Sequence, residues 1–157
     1  MSTLEGKLAP EFTLAGSDGL TYSAQSLKGK KVVLYFYPKD DTPGCTKEAC
    51  QFRDLNTEIA KTGAIVLGVS RDGSESHRAF QGKYQLPFVL LTDADTAVHR
   101  AYGAWGKKVQ YGKETEGVIR STVVIGPDGR VLKHWPTVKN AEEHPAEVLA
   151  FLKTQNG

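Results

Sequence analysis

The longest apolar run in the chain, Val32 to Tyr37, lies in Lys31-Val32-Val33-Leu34-Tyr35-Phe36-Tyr37, which is β-branched, aromatic and almost unbroken. That pattern predicts a strand covered on both faces. Ala64-Ile65-Val66-Leu67-Gly68-Val69 repeats it, and Phe88-Val89-Leu90-Leu91 repeats it more briefly. Between the first two runs, Ala49, Phe52, Leu55 and Ile59 recur at helical spacing, which predicts a helix from Pro43 to about Lys61. Further helices are expected over 74–84, 95–102 and 141–153. Two hairpins are signalled by turn-rich tetrapeptides between apolar pairs. Gly16-Ser17-Asp18-Gly19 lies between Phe12, Leu14 and Leu20, Tyr22; Gly126-Pro127-Asp128-Gly129 lies between strands expected at 121–125 and 130–135. The Gly- and Lys-rich stretch 103–117 lacks either period and reads as the one long loop.

Strands alternating with helices imply a parallel core sheet covered on both sides, made mixed by the terminal hairpin. The expected class is therefore α/β: a central mixed β-sheet flanked by helices, with an N-terminal β-hairpin extension. This is the thioredoxin-like order, although other α/β sandwiches share it. No repeat or linker interrupts the chain, and 157 residues with 39% hydrophobic content suit one domain, 1–157. The net charge of +2 comes from 20 basic and 18 acidic side chains without a run of one sign, so no nucleic-acid or membrane-surface patch is expected. With no signal peptide or spanning segment read in the sequence, the expected location is cytoplasmic.

Two cysteines do not make a disulfide scaffold in a domain of this size; redox chemistry is the better reading. Cys45 and Cys50 lie where the first buried strand ends and the long helix begins, and the carboxyl ends of strands are where α/β proteins gather their sites. Thr42 is expected to cap the helix and Pro43 to occupy its first position. Cys45 then falls in the first turn, where unpaired backbone N–H groups and the helix dipole favour a thiolate. At about 100° per residue, Cys45 shares the inward face with Ala49, Phe52 and Ile59, whereas Cys50 lies roughly 140° away beside Arg53, Thr57 and Lys61. Residues five apart in a helix have Cα atoms roughly 8.6 Å apart, beyond the roughly 4.4–6.8 Å that a disulfide spans. A Cys45–Cys50 bond would therefore require the first turns to unwind.

Pro38-x-x-x-Thr42-x-x-Cys45 resembles the peroxiredoxin active-site signature, and Cys45-Thr46-Lys47-Glu48-Ala49-Cys50 resembles the bacterioferritin comigratory protein, or PrxQ, subgroup. The likeness continues through Leu86-Pro87-Phe88, Leu91-Thr92-Asp93, Tyr102-Gly103, Trp105-Gly106-Lys107 and Arg120-Ser121-Thr122. It implies that Cys45 reduces hydrogen peroxide or organic hydroperoxides and becomes a sulfenic acid. Cys50 would then form an intramolecular disulfide, which thioredoxin or a glutaredoxin-type donor would reduce. It implies that Thr42 orients the peroxide, that Pro38 shields the pocket, that Gly44 and Arg120 help bind substrate, and that Glu48 holds an arginine. Arg120 would also keep Cys45 ionised, as a neighbouring cation does; its choice among the arginines rests on the resemblance. No metal or cofactor is implied, and a partner thiol in the same chain favours a monomer. Gly126 is a mild departure in a distal turn.

The competing reading is a thioredoxin-like thiol–disulfide oxidoreductase, but such enzymes space their thiols C-x-x-C, and here four residues intervene. A metal site is disfavoured because His77, His99, His134 and His144 have no ligand-like spacing; each reads as a surface or helix-end histidine. Trp105 reads equally as a lining of the active-site mouth or as packing, and Lys107, Lys108 and Lys113 read as a solvated basic cluster.

Overall fold

The computed structural model describes residues 4–110 and 112–155, excluding the side chains of 108–110. Seven strands form one sheet: β1 (Thr13–Gly16), β2 (Thr21–Ser23), β3 (Lys31–Phe36), β4 (Ala64–Ser70), β5 (Val89–Thr92), β8 (Ser121–Ile125) and β9 (Val131–Trp135). Their order is β2-β1-β5-β4-β3-β8-β9. β3, β4 and β5 are mutually parallel, while β1, β8 and β9 join antiparallel. The helices are α1 (Pro43–Lys61), α2 (Ser74–Tyr84), α3 (Ala97–Ala101) and α4 (His144–Thr154).

Strand β3 divides its side chains between two cores, as period-two geometry demands. Val33 and Tyr35, with Tyr37 just beyond, face α1, α2 and α4, meeting Ala49, Phe52, Ile59, Phe80 and Val148. Val32, Leu34 and Phe36 face the opposite layer with Phe12, Leu14, Val98 and Tyr102. Burial on both faces explains the unbroken apolar run. The mixed sheet, covering helices and N-terminal hairpin are those expected; α3 is shorter than 95–102, and α4 begins at His144 rather than 141.

The stretch 103–117 is not a loop. Trp105–Gln110 (β6) and Lys113–Val118 (β7) pair antiparallel as a separate two-stranded sheet, turning at Gly112 with φ 77°. Hydrophobic alternation missed it because the pair carries little apolar surface. Its register instead opposes Lys107 to Glu116, and Lys107 also forms an ion pair with Glu114 at 3.1 Å. The side chain of Lys108 lies outside the described residues.

Candidate active site

The polar segment between β3 and α1 crosses from the sheet edge to the helix start. Pro43 occupies the first turn of α1, and Thr42 stands at the N-cap with extended backbone angles. Its side chain does not cap the helix: the hydroxyl donates backward to the Lys39 carbonyl at 2.9 Å. The cap expected from sequence is therefore replaced by a bond that fixes the loop. Pro43 has no N–H needing a partner, which reduces the need for such a cap.

Cys45 is 2% exposed and faces the core with Ala49 and Phe52, whereas Cys50 is half-buried; both thiols are free and α1 runs unbroken through them. This matches the inward and outward faces expected. Arg120, between β7 and β8, reaches across from 75 positions away, and its Nη2 donates to Cys45 Sγ at 3.4 Å. Its Nη1 donates to Glu48 Oε1 at 2.6 Å, forming an ion pair with a fully buried carboxylate. Gly44 permits this approach: a Cβ there would stand 3.2 Å from Arg120 Nη2. The structure thus brings Gly44, Cys45, Glu48 and Arg120 together.

Burial disfavours the Arg120 cation, yet Glu48 and Cys45 outweigh that cost and raise its pKa, so it stays charged. Burial pushes the Glu48 carboxyl up to about 7, against the pull of Arg120. The second oxygen, Glu48 Oε2, and Tyr35 Oη are buried without a hydrogen-bond partner among the described residues. Beside Arg120, an open cleft of about 430 Å³ is lined by Pro38, Lys107, Ile119, Arg120, Thr137 and Val138. Trp105 is not in that lining; the guanidinium groups of Arg71 and Arg100 lie over its ring at 5.4 and 5.1 Å from the centroid, and its indole N–H donates to Glu116.

Burial of His77, His99, His134 and His144 corrects the surface reading, although His144 does stand at a helix end, the start of α4. Each has a polar partner that sequence spacing does not reveal. His99 Nδ1 lies 2.6 Å from Asp93, His144 Nε2 lies 2.8 Å from Thr122, and His134 Nδ1 accepts the Leu4 N–H at 3.2 Å. His77 bonds Asp40 within the active-site loop, a contact hinted at only by the two aspartates before Thr42. The next residue, Asp41, has φ 59° and accepts bonds from Lys83 Nζ and Tyr84 Oη, each at 2.9 Å. The pocket loop is thus tied to both ends of α2.

The chain is similar to known proteins over most of its length. The AhpC/TSA family model matches residues 6–134. Peroxiredoxin Bcp of Bacillus subtilis is 46% identical over 148 residues, covering 94% of each chain. Chloroplastic peroxiredoxin Q of Suaeda salsa is 43% identical over 96% of this chain and 68% of its own length. A Xanthomonas campestris peroxiredoxin Q structure superimposes with a TM-score of 0.87 at 42% identity, covering 93% of this chain and 92% of that one. Another structure of the bacterioferritin comigratory protein from that organism, with the same TM-score and 41% identity, concerns alkyl peroxide reduction. The thioredoxin-like architecture expected from element order is the fold of these neighbours, and the chain belongs to the AhpC/TSA family, among the peroxiredoxins named Bcp and PrxQ.

Proposed function

We propose that this thiol-dependent peroxidase reduces hydrogen peroxide and organic hydroperoxides through attack by Cys45, with Cys50 as the resolving thiol. The observation that carries the reading is the 3.4 Å contact from Arg120 Nη2 to Cys45 Sγ, made while Glu48 holds the other nitrogen of the guanidinium. In the first step the Cys45 thiolate attacks the terminal peroxide oxygen. The O–O bond breaks, a sulfenic acid forms, and the departing oxygen takes a proton to leave as water or alcohol. Arg120 and the free N–H groups of the first helical turn stabilise charge on that oxygen. Because the Thr42 hydrogen is committed to Lys39, its hydroxyl oxygen remains available to accept a hydrogen bond from the peroxide. Pro38 and Gly44 shape the entrance.

In the second step the Cys50 thiolate attacks the sulfenic sulfur, forming the disulfide as the S–O bond breaks; the departing hydroxide takes a proton and leaves as water. The helical spacing, roughly 8.6 Å between Cα atoms, requires the first turns of α1 to open before this bond can form. A thioredoxin or glutaredoxin-type dithiol then reduces the disulfide by exchange. All the groups named belong to one chain, which supports a monomer acting as a single domain, 1–157; the cytoplasm is the location proposed for it. No helix among the described residues is long and apolar enough to cross a membrane.

The test is peroxide consumption by the wild type, Cys45→Ser and Cys50→Ser, with intact masses of the oxidised products. Cys45→Ser is expected to be inactive. Cys50→Ser is expected to add one oxygen and stop unless an external thiol is supplied. Peroxide reduction by Cys45→Ser at the wild-type rate overturns the assignment.

A further inference from the structure

His77 has no role in the chemistry above, yet it is fully buried and bonded at both ring nitrogens. Nε2 lies 3.0 Å from the Leu91 carbonyl, which only accepts, so Nε2 carries a proton. Nδ1 lies 2.8 Å from Asp40 Oδ2. Asp40 Oδ2 also accepts from Ser76 Oγ at 2.8 Å, and Oδ1 accepts from Tyr37 Oη at 2.6 Å. The Asp40 backbone N–H donates to Asp72 at 2.8 Å. All this holds one residue midway between Pro38 and Thr42.

A buried hydrogen-bonded network is weak evidence for stability, because each bond gains little over the bonds its groups make to water. Its location is more informative. Asp41, directly after Asp40, is a non-glycine residue in the left-handed region, so this loop does not hold its shape through local preference alone. Thr42 follows, with its hydroxyl bonded inside the same loop.

We propose that His77 is a positioning residue for peroxide reduction: through Asp40 it fixes the Pro38–Thr42 loop against the Cys45 thiol. The proposal rests on Cys45 being the attacking group. Reaction rate depends steeply on such placement, since an error of about 1 Å costs on the order of 10²-fold.

Asparagine and glutamine separate the two bonds of the ring. In His77→Asn the amide nitrogen falls near the Nδ1 position and retains the Asp40 contact while losing Leu91. In His77→Gln it falls near Nε2 and retains Leu91 while losing Asp40. Each variant loses one buried bond and some ring volume, so similar falls in melting temperature are expected. The rate of Cys45 sulfenic acid formation is expected to fall about 10-fold or more in His77→Gln and to stay within about 3-fold of wild type in His77→Asn. Equal rates in the two variants, whether lowered or normal, overturn the proposal. If either variant is insoluble, Tyr37→Phe decides: removing the hydroxyl bond to Asp40 is expected to slow the step about 3-fold or more, and an unchanged rate overturns the proposal. Cys45→Ser, measured alongside, separates the two claims. An active Cys45→Ser sinks the assignment of the thiol, whereas equal His77 variants beside an inactive Cys45→Ser sink only the role of His77.

Discussion

Cys45 and Cys50 stand five residues apart on one helix, yet their surroundings have little in common. Cys45 is in the first turn, facing inward, 2% exposed and within reach of a guanidinium; Cys50 is half-buried on the outward side, one turn further along. The helix dipole and free N–H groups act within the first turn and fade beyond it. The comparison teaches that enclosure and aimed donors, rather than exposure, mark the thiol assigned to attack. Exposure suits the thiol that waits for the helix to open.

The largest effect should come from exchanging the roles of the two positions. Cys45→Ser is expected to reduce peroxide turnover to the uncatalysed background, whereas Cys50→Ser keeps the rate of the first oxidation and loses only recycling. Stopped-flow oxidation followed by steady-state turnover separates these outcomes. Next is Arg120, which donates to Cys45. Arg120→Ala is expected to slow sulfenic acid formation about 10²-fold, and Thr42→Val about tenfold. Alkylation rates across pH report Cys45 ionisation in the same variants. The peroxide defect should exceed whatever ionisation explains, because lowering a thiol pKa also lowers its nucleophilicity. A loss accounted for wholly by ionisation contradicts positioning as the main cause.

A smaller effect concerns Glu48, which lies between the two cysteines on the segment that must unwind. Burial raises its carboxyl from an ordinary 4.5 to about 7 in the closed helix, with Arg120 opposing the rise. Once exposed, the group returns toward the ordinary value. The closed form therefore binds a proton that the open form releases, so opening becomes easier as pH rises from about 4.5 to about 7 and gains nothing further outside that window. Disulfide formation in wild type is expected to rise more steeply across this window than in Glu48→Gln, by up to about tenfold per pH unit. Rapid quenching and mass analysis measure both; parallel profiles contradict the linkage. The smallest effect belongs to the β6–β7 hairpin, where breaking the exposed Lys107–Glu114 pair by Glu114→Gln should change stability by about 0.5 kcal/mol or less, measured by denaturant unfolding.

Much of this contrast is legible in the sequence because it depends on spacing. Pro43 marks the start of α1, and the positions of Ala49, Phe52 and Ile59 orient Cys45 inward before any coordinates are needed. The unbroken run of β3 likewise identifies a strand covered on both faces. Features that depend on distant partners are less legible. Arg120 reaches Cys45 and Glu48 only because β8 pairs beside β3, and no local pattern distinguishes it from another strand-flanking arginine. His77 looks like a surface residue until Asp40 and Leu91 are folded around it. The β6–β7 hairpin escapes notice because its described pairing includes charged positions such as Lys107 and Glu116, while Thr42 has the right residue type for a cap but spends its hydroxyl on Lys39.

The central claim is that oxidation at Cys45 leads to opening of the start of α1 so that Cys50 can bond to it. Amide hydrogen exchange over residues 43–52, compared between the reduced protein and its peroxide-treated disulfide form, tests this most directly. Faster exchange across that segment in the disulfide form, with the second half of α1 remaining protected, is the expected result. Equal protection of residues 43–52 in the two forms contradicts the account.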